Sequence, residues 1–347
     1  MIELRSDNTA GVAPEILAAL QAANTGSALA YGGDDLTAHL HDVVRTVFEH
    51  PTARAFPVTS GTAANSLALS ASTPPWGAVL CHPSAHIVTA EGGATSMYGG
   101  GAVMQGVGGS HALIDPERLR SALDKVRWGD PHESQPSVLS LTLPSDFGTL
   151  YRPDEIAVLT GIARERGMRV HVDGARIANA VAALGCSPAD VTWRAGVDVL
   201  SLGATKNGAL SAEAIVVFDD RIADELVYRT KRAGHVTSKM RFQSAQVTAY
   251  LTDELWLRLA ANSNQRMAEL ATELASLAPY GVRLQERVDV NMAFVELPST
   301  AIDALASEVL FYRMSDTSAR LVTSWQTTAE DVAAAGARFR EAVTRTG

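Results

Sequence analysis

Short apolar segments alternate with helical patterns between residues 54 and 218. Some of these segments are apolar throughout, which is typical of strands that are buried on both faces of a parallel sheet. One of the helices runs from Asp154 to Arg166 and is closed by Gly167. The strand candidates are 54–58, 78–81, 138–141, 169–172, 197–200 and 214–218. The alternation predicts an α/β fold in which helices cover both faces of a mostly parallel sheet.

The pattern changes near residue 252, where a long helical stretch runs to Ala278. Strand and helix candidates then follow in mixed order, which predicts an α+β arrangement. The candidates are strands 282–284, 293–297 and 320–325, a helix over 301–310 and an Ala-rich helix from residue 330. A chain of 347 residues also exceeds the usual length of one domain. We therefore predict a large α/β domain over residues 1–251 and a smaller C-terminal α+β domain over residues 252–347.

The composition argues against several classes of partner. A formal net charge of -9 disfavours nucleic-acid binding, which normally needs a basic stripe. No window approaches the ~18 uninterrupted apolar residues of a membrane span, and the first residues lack an apolar signal region. The two cysteines, Cys81 and Cys186, offer neither a disulfide framework nor metal-ligand spacing. We predict a cytoplasmic protein without a metal site, acting on a small molecule.

Lys206 and Asp173 are the residues that most constrain the chemistry. Lys206 follows a strand candidate through the small residues Gly203 and Ala204, and Asp173 ends the preceding strand candidate, one βαβ unit earlier. In open α/β sheets, ligands bind beyond the carboxyl ends of the strands. A lysine at such an edge can bond covalently to an aldehyde cofactor, and an aspartate can pair with a pyridinium nitrogen. Together the two residues predict a pyridoxal-phosphate site.

A glycine-containing turn precedes the helix that begins near Gly61. Free backbone N–H groups at such a turn, together with the Thr62 hydroxyl, can converge on a phosphate. The same residues could equally serve as an ordinary helix cap. The turn lacks the lysine of a nucleotide-binding loop, and no Gly-x-Gly-x-x-Gly motif opens a helix elsewhere. The turn is therefore a candidate phosphate site, and the residues around it decide between this role and an ordinary helix cap.

Two arginines and a histidine are further candidates. Arg176 lies three residues beyond Asp173, and Arg320 opens a strand candidate of the smaller domain. An arginine can hold a carboxylate through two parallel hydrogen bonds, although either residue could instead form a surface ion pair. His86 could stack on a flat ring or move a proton, and it could also be a structural hydrogen-bonding residue.

A series of motifs, in order along nearly the whole chain, resembles the threonine aldolases of the fold-type I pyridoxal-phosphate enzymes. The motifs are Arg5-Ser6-Asp7-Asn8-Thr9, Tyr31-Gly32-Gly33-Asp34, Ser60-Gly61-Thr62-Ala63-Ala64-Asn65, His86 with Glu91, Asp173-Gly174-Ala175-Arg176, Thr205-Lys206 and Arg320-Leu321-Val322-Thr323-Ser324-Trp325. The resemblance implies a seven-stranded, mostly parallel sheet flanked by helices, a bound pyridoxal 5'-phosphate and a homotetramer built as a dimer of dimers. Thr205-Lys206-Asn207-Gly208 departs from the common Ser-Lys-Gly form and is similar to a subgroup of low-specificity L-threonine aldolases.

The resemblance also implies roles for individual residues. Lys206 would be the Schiff-base lysine, Asp173 would bind the pyridine nitrogen, and His86 would stack on the ring or act as a catalytic group. The remaining implied roles are phosphate binding by Gly61 and Thr62, substrate binding by Ser6, Tyr31, Arg176 and Arg320, contact with a neighbouring subunit's phosphate by Lys231 or Arg232, and a place near the substrate hydroxyl for His132.

The activity that the resemblance implies is retro-aldol cleavage. The substrates would be L-threonine, L-allo-threonine and related β-hydroxy-α-amino acids such as phenylserine, and the products glycine and an aldehyde. His86, His132 or an ordered water would remove the hydroxyl proton. A β-eliminating lyase or an aminotransferase on the same scaffold stays an open alternative, because fold does not fix the reaction. A catalytically silent binding or assembly protein is a further alternative, which the intact set of Lys206, Asp173 and Arg176 disfavours.

Overall fold

The strands of the large sheet form where the sequence predicts them. The computed structural model describes residues 1–345. Its strands are β1 (Ile2–Glu3), β2 (Arg54–Val58), β3 (Gly77–Cys81), β4 (Val103–Gly106), β5 (Gln135–Thr142), β6 (Arg169–Gly174), β7 (Val199–Leu202), β8 (Glu213–Val217), β9 (Arg283–Leu284), β10 (Met292–Glu296), β11 (Val309–Leu310), β12 (Tyr312–Arg313) and β13 (Ser318–Val322). All six strand candidates between residues 54 and 218 are present, and β4 is an additional strand.

Helices connect these strands and cover the sheet. They are α1 (Pro14–Ala23), α2 (Asp35–Val47), α3 (Gly61–Ser72), α4 (His86–Thr89), α5 (Ala94–Tyr98), α6 (Pro116–Asp124), α7 (Pro153–Glu165), α8 (Ile177–Leu184), α9 (Asp220–Arg232), α10 (Arg241–Leu251), α11 (Leu255–Ser276), α12 (Ser299–Leu305) and α13 (Ala329–Arg345). Local sequence explains where several of these helices begin or end. Asp34, for example, caps α2 by accepting a hydrogen bond from the Thr37 backbone N–H at 2.8 Å. Within residues 1–345, no helix is both long and apolar enough to cross a membrane.

The large sheet has seven strands in the order β2-β8-β7-β6-β5-β3-β4. β8 runs antiparallel to both of its neighbours, and the other adjacent strands pair in parallel. The predicted mostly parallel α/β sheet is therefore confirmed. The carboxyl ends of β5, β6 and β7 lie at one edge, and the antiparallel direction of β8 brings its first residue, Glu213, to that same edge.

The C-terminal part of the chain forms a smaller antiparallel sheet in the order β12-β13-β10-β9. α11 joins the two parts, because Trp256 packs into the core of the large sheet and Leu270 packs into the core of the small one. The helix predicted over 301–310 ends at Leu305, because Val309 and Leu310 form β11 instead. The smaller α+β unit is thus present, and the exact boundary between residues 251 and 252 stays a prediction.

The N-terminal segment contacts the smaller unit as well as the large one. β1 pairs in parallel with β11, with Ile2 opposite Val309, and Leu4 is buried in the core of the smaller unit. The following residues run back to the edge of the large sheet, where Asn8 reaches the cavity described below. The segment, which the sequence assigns to the large domain, therefore bridges both parts of the fold.

Candidate active site

A cavity of about 250 Å³ opens at the carboxyl edge of the large sheet, beyond the ends of β6 and β7. This is the place where open α/β sheets bind their ligands. Predicted residues from four separate segments line it, namely Gly61, Thr62, His86, Asp173 and Lys206. The structure thus brings together the residues on which the predicted cofactor site depends.

Asp173 is fixed in orientation by the residues around it. One carboxylate oxygen accepts a hydrogen bond from the Asn65 amide at 2.9 Å, and the other accepts one from the backbone N–H of Ala175 at 3.0 Å. The Asp173 side chain is buried, and its backbone carbonyl accepts from the Leu143 N–H at 2.9 Å. A charged ring nitrogen at the cavity would therefore meet a carboxylate that needs no rearrangement.

Asn65 connects Asp173 to His86 through a buried glutamate. The Asn65 amide donates to Glu91 Oε1 at 2.8 Å, and His86 Nδ1 lies 2.9 Å from that same oxygen. The hydrogen bond with Glu91 raises the pKa of His86 despite the opposing effect of burial, and the charge of Asp173 adds to the rise. The network holds the imidazole at the mouth of the cavity, and it assigns Asn65 and Glu91 a positioning role that sequence motifs alone did not reveal.

Lys206 lines the cavity from a short 3-10 helix over Thr205–Asn207. Its amine forms no hydrogen bond or ion pair with the part of the chain that the structure describes. Burial lowers the pKa of Lys206, and the nearby charge of Arg176 lowers it further. A lowered pKa makes the neutral, nucleophilic amine more accessible near neutral pH.

The loop that carries Lys206 is held from both sides. Gly203 passes so close to Ala175 that a Cβ at position 203 would lie 2.2 Å from the Ala175 carbonyl oxygen. On the other side, the Asn207 amide donates to the Tyr250 hydroxyl at 3.0 Å and to the Trp256 carbonyl at 2.8 Å. Asn207, the residue at which the motif departs from its common form, therefore anchors the lysine loop to α10 and α11.

The N-terminus of α3 points toward the same cavity. Ser60 caps this helix by accepting from the Ala63 N–H at 3.2 Å, which leaves the N–H groups of Gly61 and Thr62 available for a ligand. A Cβ at Gly61 would meet nothing within 4 Å, so there is open space beside the helix end. Because a helix N-terminus attracts anions, the residues present fit the phosphate of pyridoxal phosphate, with Lys206 and Asp173 placed around the same space.

Arg176 is engaged with a partner that the sequence did not reveal. Its Nε donates to Asp7 Oδ2 at 2.6 Å and its Nη2 donates to Asp7 Oδ1 at 3.0 Å. Asn291 donates to the same carboxylate at 3.1 Å. Burial alone would raise the pKa of Asp7, but the charge and hydrogen bonds of Arg176 outweigh it and lower the pKa. The predicted substrate residue Ser6 is buried beside this pair.

Arg320 lies in the small sheet and has no comparable partner. Its guanidinium carbon is 4.7 Å from the centre of the Tyr312 ring, and its buried Nε has no hydrogen-bond acceptor among the residues that the structure describes. Burial and the charge of Arg176 lower the pKa of Arg320. An unpaired guanidinium nitrogen beside a second arginine is suited to an anionic ligand.

His132 does not lie in this site. It is exposed in the loop before β5, where its backbone N–H donates to Asp130 at 2.9 Å. β5 runs parallel to β6, so a residue before its first residue, Gln135, lies at the edge opposite to Asp173. The predicted place of His132 near a substrate hydroxyl is therefore corrected, because a residue that precedes a strand of a parallel sheet lies at the edge opposite to the carboxyl ends.

Tyr31, Lys231 and Arg232 do not line the cavity of their own chain. Tyr31 is exposed, and the Lys231 amine lies 4.5 Å from the centre of its ring. Arg232, at the end of α9, lines a separate groove of about 570 Å³ that also contains Tyr228. The substrate contact of Tyr31 and the intersubunit phosphate contact of Lys231 or Arg232 stay predictions.

Glu213 is a cavity residue that the sequence did not single out. Its carboxylate accepts from the Ala204 N–H at 2.5 Å, next to the lysine loop. Burial raises the pKa of Glu213. Glu213 could have been predicted only if β8 had been known to run antiparallel to β7. In a parallel strand, the first residue would lie at the opposite edge of the sheet.

Comparison with known proteins gives a consistent result. Residues 3–299 match the family model described as beta-eliminating lyase. The low specificity L-threonine aldolase of Pseudomonas aeruginosa is 41% identical over 332 residues, which cover 95% of this chain and 94% of that protein.

Solved structures agree with the sequence matches. A threonine aldolase of Leishmania major superimposes with a TM-score of 0.91 at 26% identity, covering 99% of this chain and 100% of that chain. A serine palmitoyltransferase from S. paucimobilis, solved with bound PLP, shares the fold with a TM-score of 0.70 at 14% identity, covering 99% of this chain and 88% of that chain.

Proposed function

The chain belongs to the beta-eliminating lyase family, and we propose that, within this family, it is a pyridoxal-phosphate-dependent threonine aldolase. Its substrates are L-threonine, L-allo-threonine and related β-hydroxy-α-amino acids, which it cleaves to glycine and an aldehyde. The observation that carries the proposal is the single cavity in which Lys206, Asp173 and the free N-terminus of α3 meet. The name and coverage of the P. aeruginosa relative support the choice of substrate.

When bound, pyridoxal phosphate supplies a conjugated, electron-withdrawing ring that stabilises negative charge on the substrate α-carbon. Lys206 would hold its aldehyde carbon, Asp173 would pair with its ring nitrogen, and the N–H groups of Gly61 and Thr62 would bind its phosphate. A carboxylate beside a pyridinium nitrogen stabilises its positive charge and keeps it protonated. His86 would lie beside the ring, and its hydrogen bond with Glu91 fixes the orientation of the imidazole.

Arg176 and Arg320 bind the substrate carboxylate. Arg176 approaches from the large sheet with its orientation set by Asp7, and Arg320 approaches from the small sheet with an unpaired Nε. Two guanidinium groups fix the rotation of the substrate about its α-carbon, which determines the bond that breaks. Ser6 supports this carboxylate site from the N-terminal segment.

The competing reaction is β-elimination, which the description of the matching family favours. A product assay separates the two reactions. Purified protein supplied with pyridoxal phosphate should release glycine and acetaldehyde from L-threonine, whereas elimination would release a 2-oxo acid and ammonia. The same assay with L-allo-threonine, both D-forms and phenylserine measures stereochemical preference and aldehyde size. Mainly 2-oxo acid from L-threonine would contradict the aldolase assignment.

Lys206→Ala tests the cofactor directly. We expect this variant to lose the absorbance band of covalently bound pyridoxal phosphate and nearly all turnover, because no other amine lines the cavity in the described residues. Lys125→Ala, at an exposed lysine directly after α6, is the matched control and should keep the band. A Lys206→Ala protein that keeps both the band and wild-type turnover would contradict the assignment.

We propose further that the chain assembles as a homotetramer, with Lys231 or Arg232 reaching the phosphate of a neighbouring subunit. Exposed apolar side chains near these residues support burial between subunits, since Tyr228 is 78% exposed and Leu29 is 75% exposed. Sedimentation velocity with the Tyr228→Glu variant tests the assembly. The cytoplasmic location and the lack of a nucleic-acid or membrane partner stay predictions.

A further inference from the structure

Asp146 lies in the loop that follows β5, directly beside the cofactor edge of the sheet. The Leu143 N–H donates to the Asp173 carbonyl at 2.9 Å, so the loop leaves the sheet next to Asp173. Phe147 packs against Phe294 with ring centres 5.3 Å apart, and Phe294 is the cross-strand neighbour of Arg320. Asp146 is therefore placed between the cofactor partner Asp173 and the small-sheet arginine.

Hydrogen bonds hold this loop in one shape. The Ser145 N–H donates to the Thr149 carbonyl at 2.9 Å, and the two hydroxyl groups of these residues lie 2.6 Å apart. The Thr149 hydroxyl also donates to the His111 carbonyl at 2.5 Å. Gly148 completes the turn with a φ of +77°, a conformation that favours glycine. The position of Asp146 between Ser145 and Phe147 is thus fixed by its neighbours.

The carboxylates around the cavity differ in what they bind. Each of the others accepts hydrogen bonds from the protein: Asp7 from Arg176 and Asn291, Asp173 from Asn65 and Ala175, Glu91 from Asn65 and His86, and Glu213 from Ala204. Asp146 is half-buried and forms no hydrogen bond or ion pair with any residue in positions 1 to 345. A shielded carboxylate without a donor has hydrogen-bonding capacity to offer a ligand.

The charged surroundings of Asp146 are those of the active site. The groups that face it are the carboxylate of Asp173, the imidazole of His86, the guanidinium groups of Arg176 and Arg320, the amine of Lys206 and the thiol of Cys81. Burial, followed by the charge of Asp173, raises the pKa of Asp146 to about 6. Near neutral pH the carboxylate is ionised, and its affinity for a proton is well above that of an ordinary aspartate.

We propose that Asp146 contacts the β-hydroxyl group of the substrate and accepts its proton during cleavage, an inference that rests on the proposed aldolase function. The arginines take up the substrate carboxylate, and Asp173 and Lys206 face the cofactor, so the hydroxyl group is the remaining polar group of the substrate. It needs an acceptor, and Asp146 is the carboxylate with both oxygens free. His86 keeps its place beside the ring, with Nδ1 engaged by Glu91.

The proton and electrons balance in this step. The hydroxyl proton passes to the Asp146 carboxylate, and the O–H electron pair forms the second bond of the aldehyde C=O. The Cα–Cβ bond breaks, and its electron pair stays on the α-carbon, where a proton completes glycine. Asp146 then returns its proton to solvent.

The test compares a reaction that needs the hydroxyl group with one that does not. Asp146→Asn should lower kcat/KM for L-threonine cleavage about 100-fold or more, the usual effect of removing a general base. Exchange of the glycine α-hydrogen in heavy water, followed by NMR, should be unchanged, as should the affinity for glycine measured by calorimetry. Asp154→Asn, at an exposed site in α7, is the matched control and should leave both reactions intact.

The pH profile gives an independent readout. Wild-type kcat/KM for L-threonine should rise with pH through about 6, because the ionised form of Asp146 is the proton acceptor. This rise of kcat/KM with pH should be absent in Asp146→Asn and present in His86→Asn. If Asp146→Asn fails to fold, Asp146→Glu is measured instead. A shift in the pH at which kcat/KM rises supports the inference, and an unchanged pH overturns it.

The other outcomes are also decisive. Undiminished cleavage by Asp146→Asn overturns the inference while leaving the aldolase function intact. A parallel loss of cleavage and glycine exchange also overturns it, because Asp146 would then support the cofactor site as a whole. A wild-type protein that releases no glycine from any β-hydroxy-α-amino acid overturns the proposed function itself, and Asp146 loses this role with it.

Discussion

Arg176 and Arg320 are held in opposite ways, although the sequence predicts the same role for both. The Arg176 side chain is only 16% exposed and forms two hydrogen bonds with Asp7, so it has one orientation whether or not a ligand is present. Arg320 stacks on Tyr312 and keeps a buried Nε without an acceptor. The large-sheet arginine thus has its geometry set by the protein, whereas the small-sheet arginine holds unused hydrogen-bonding capacity for the substrate.

The two arginines also differ in the free energy that a substitution would change. Removing one partner of a buried ion pair costs about 3–5 kcal/mol, because the other charge is left without compensation. An unsatisfied buried donor, by contrast, already costs the protein about 1–3 kcal/mol, which a bound acceptor would offset. Substitutions at the Arg176 pair should therefore act on stability, and substitutions at Arg320 should act on substrate binding.

The largest effect is expected from Asp7→Ala, which leaves Arg176 buried without its anion. We expect the free energy of unfolding at neutral pH to fall by about 3–5 kcal/mol, measured by urea denaturation. Because the pKa of Asp7 is lowered in the folded state, its contribution is present above the unfolded pKa of about 3.9 and is lost as pH falls through the folded pKa. The Asp7→Ala variant should therefore lose less unfolding free energy than the wild type as pH falls. Unchanged stability would show that the pair does not hold Arg176.

A second, smaller effect is expected from Arg320→Ala. The variant should raise KM for L-threonine about 10- to 100-fold, as expected for one hydrogen bond to a charged group, with little change in Tm. Arg320→Lys keeps the charge and should recover only part of the loss. Arg313→Ala, which removes an exposed ion pair with Asp303, is the control. A large drop in Tm without a change in KM would mean that Arg320 acts on stability and not on substrate binding.

The smallest effect is expected from Tyr312→Leu, which removes the ring beneath Arg320. A cation–π contact at a partly exposed site contributes about 0.5–1 kcal/mol, so KM should rise about 2- to 5-fold. Tyr280→Leu is a matched control, because Tyr280 is 47% exposed and Tyr312 is 46% exposed. Equal KM values for the two variants would mean that the ring does not orient the guanidinium.

Local patterns were sufficient for the large sheet and for part of the site. The candidate 54–58 coincides with β2, and the strand-end rule located both Asp173 and Lys206. β4 escaped notice because Val103–Gly106 is a partly exposed edge strand that contains Gln and Gly. Short-range periodicity carries no signal for a strand of that kind.

Long-range partners account for what the sequence could not predict. Asp7 and Arg176 are 169 residues apart, and Asn291 joins them from the other part of the fold. The wrong place for His132 has a different origin. It was assigned by resemblance, although a residue before the strand candidate 138–141 lies at the edge of a parallel sheet opposite to Asp173. Asp146 carries no motif at all, and its surroundings are assembled from the large sheet and the small sheet together.

The pairing of β1 with β11 has a consequence for biosynthesis. Ile2 leaves the ribosome long before its partner, Val309, has been made. Until then the hydrogen bond between Asn291 and Asp7 cannot form either. The large sheet can be assembled during translation, because domains generally fold in order from the N-terminus. The substrate pocket, however, becomes complete only after Arg320 has been made, so a chain truncated before that residue is expected to lack an ordered arginine site.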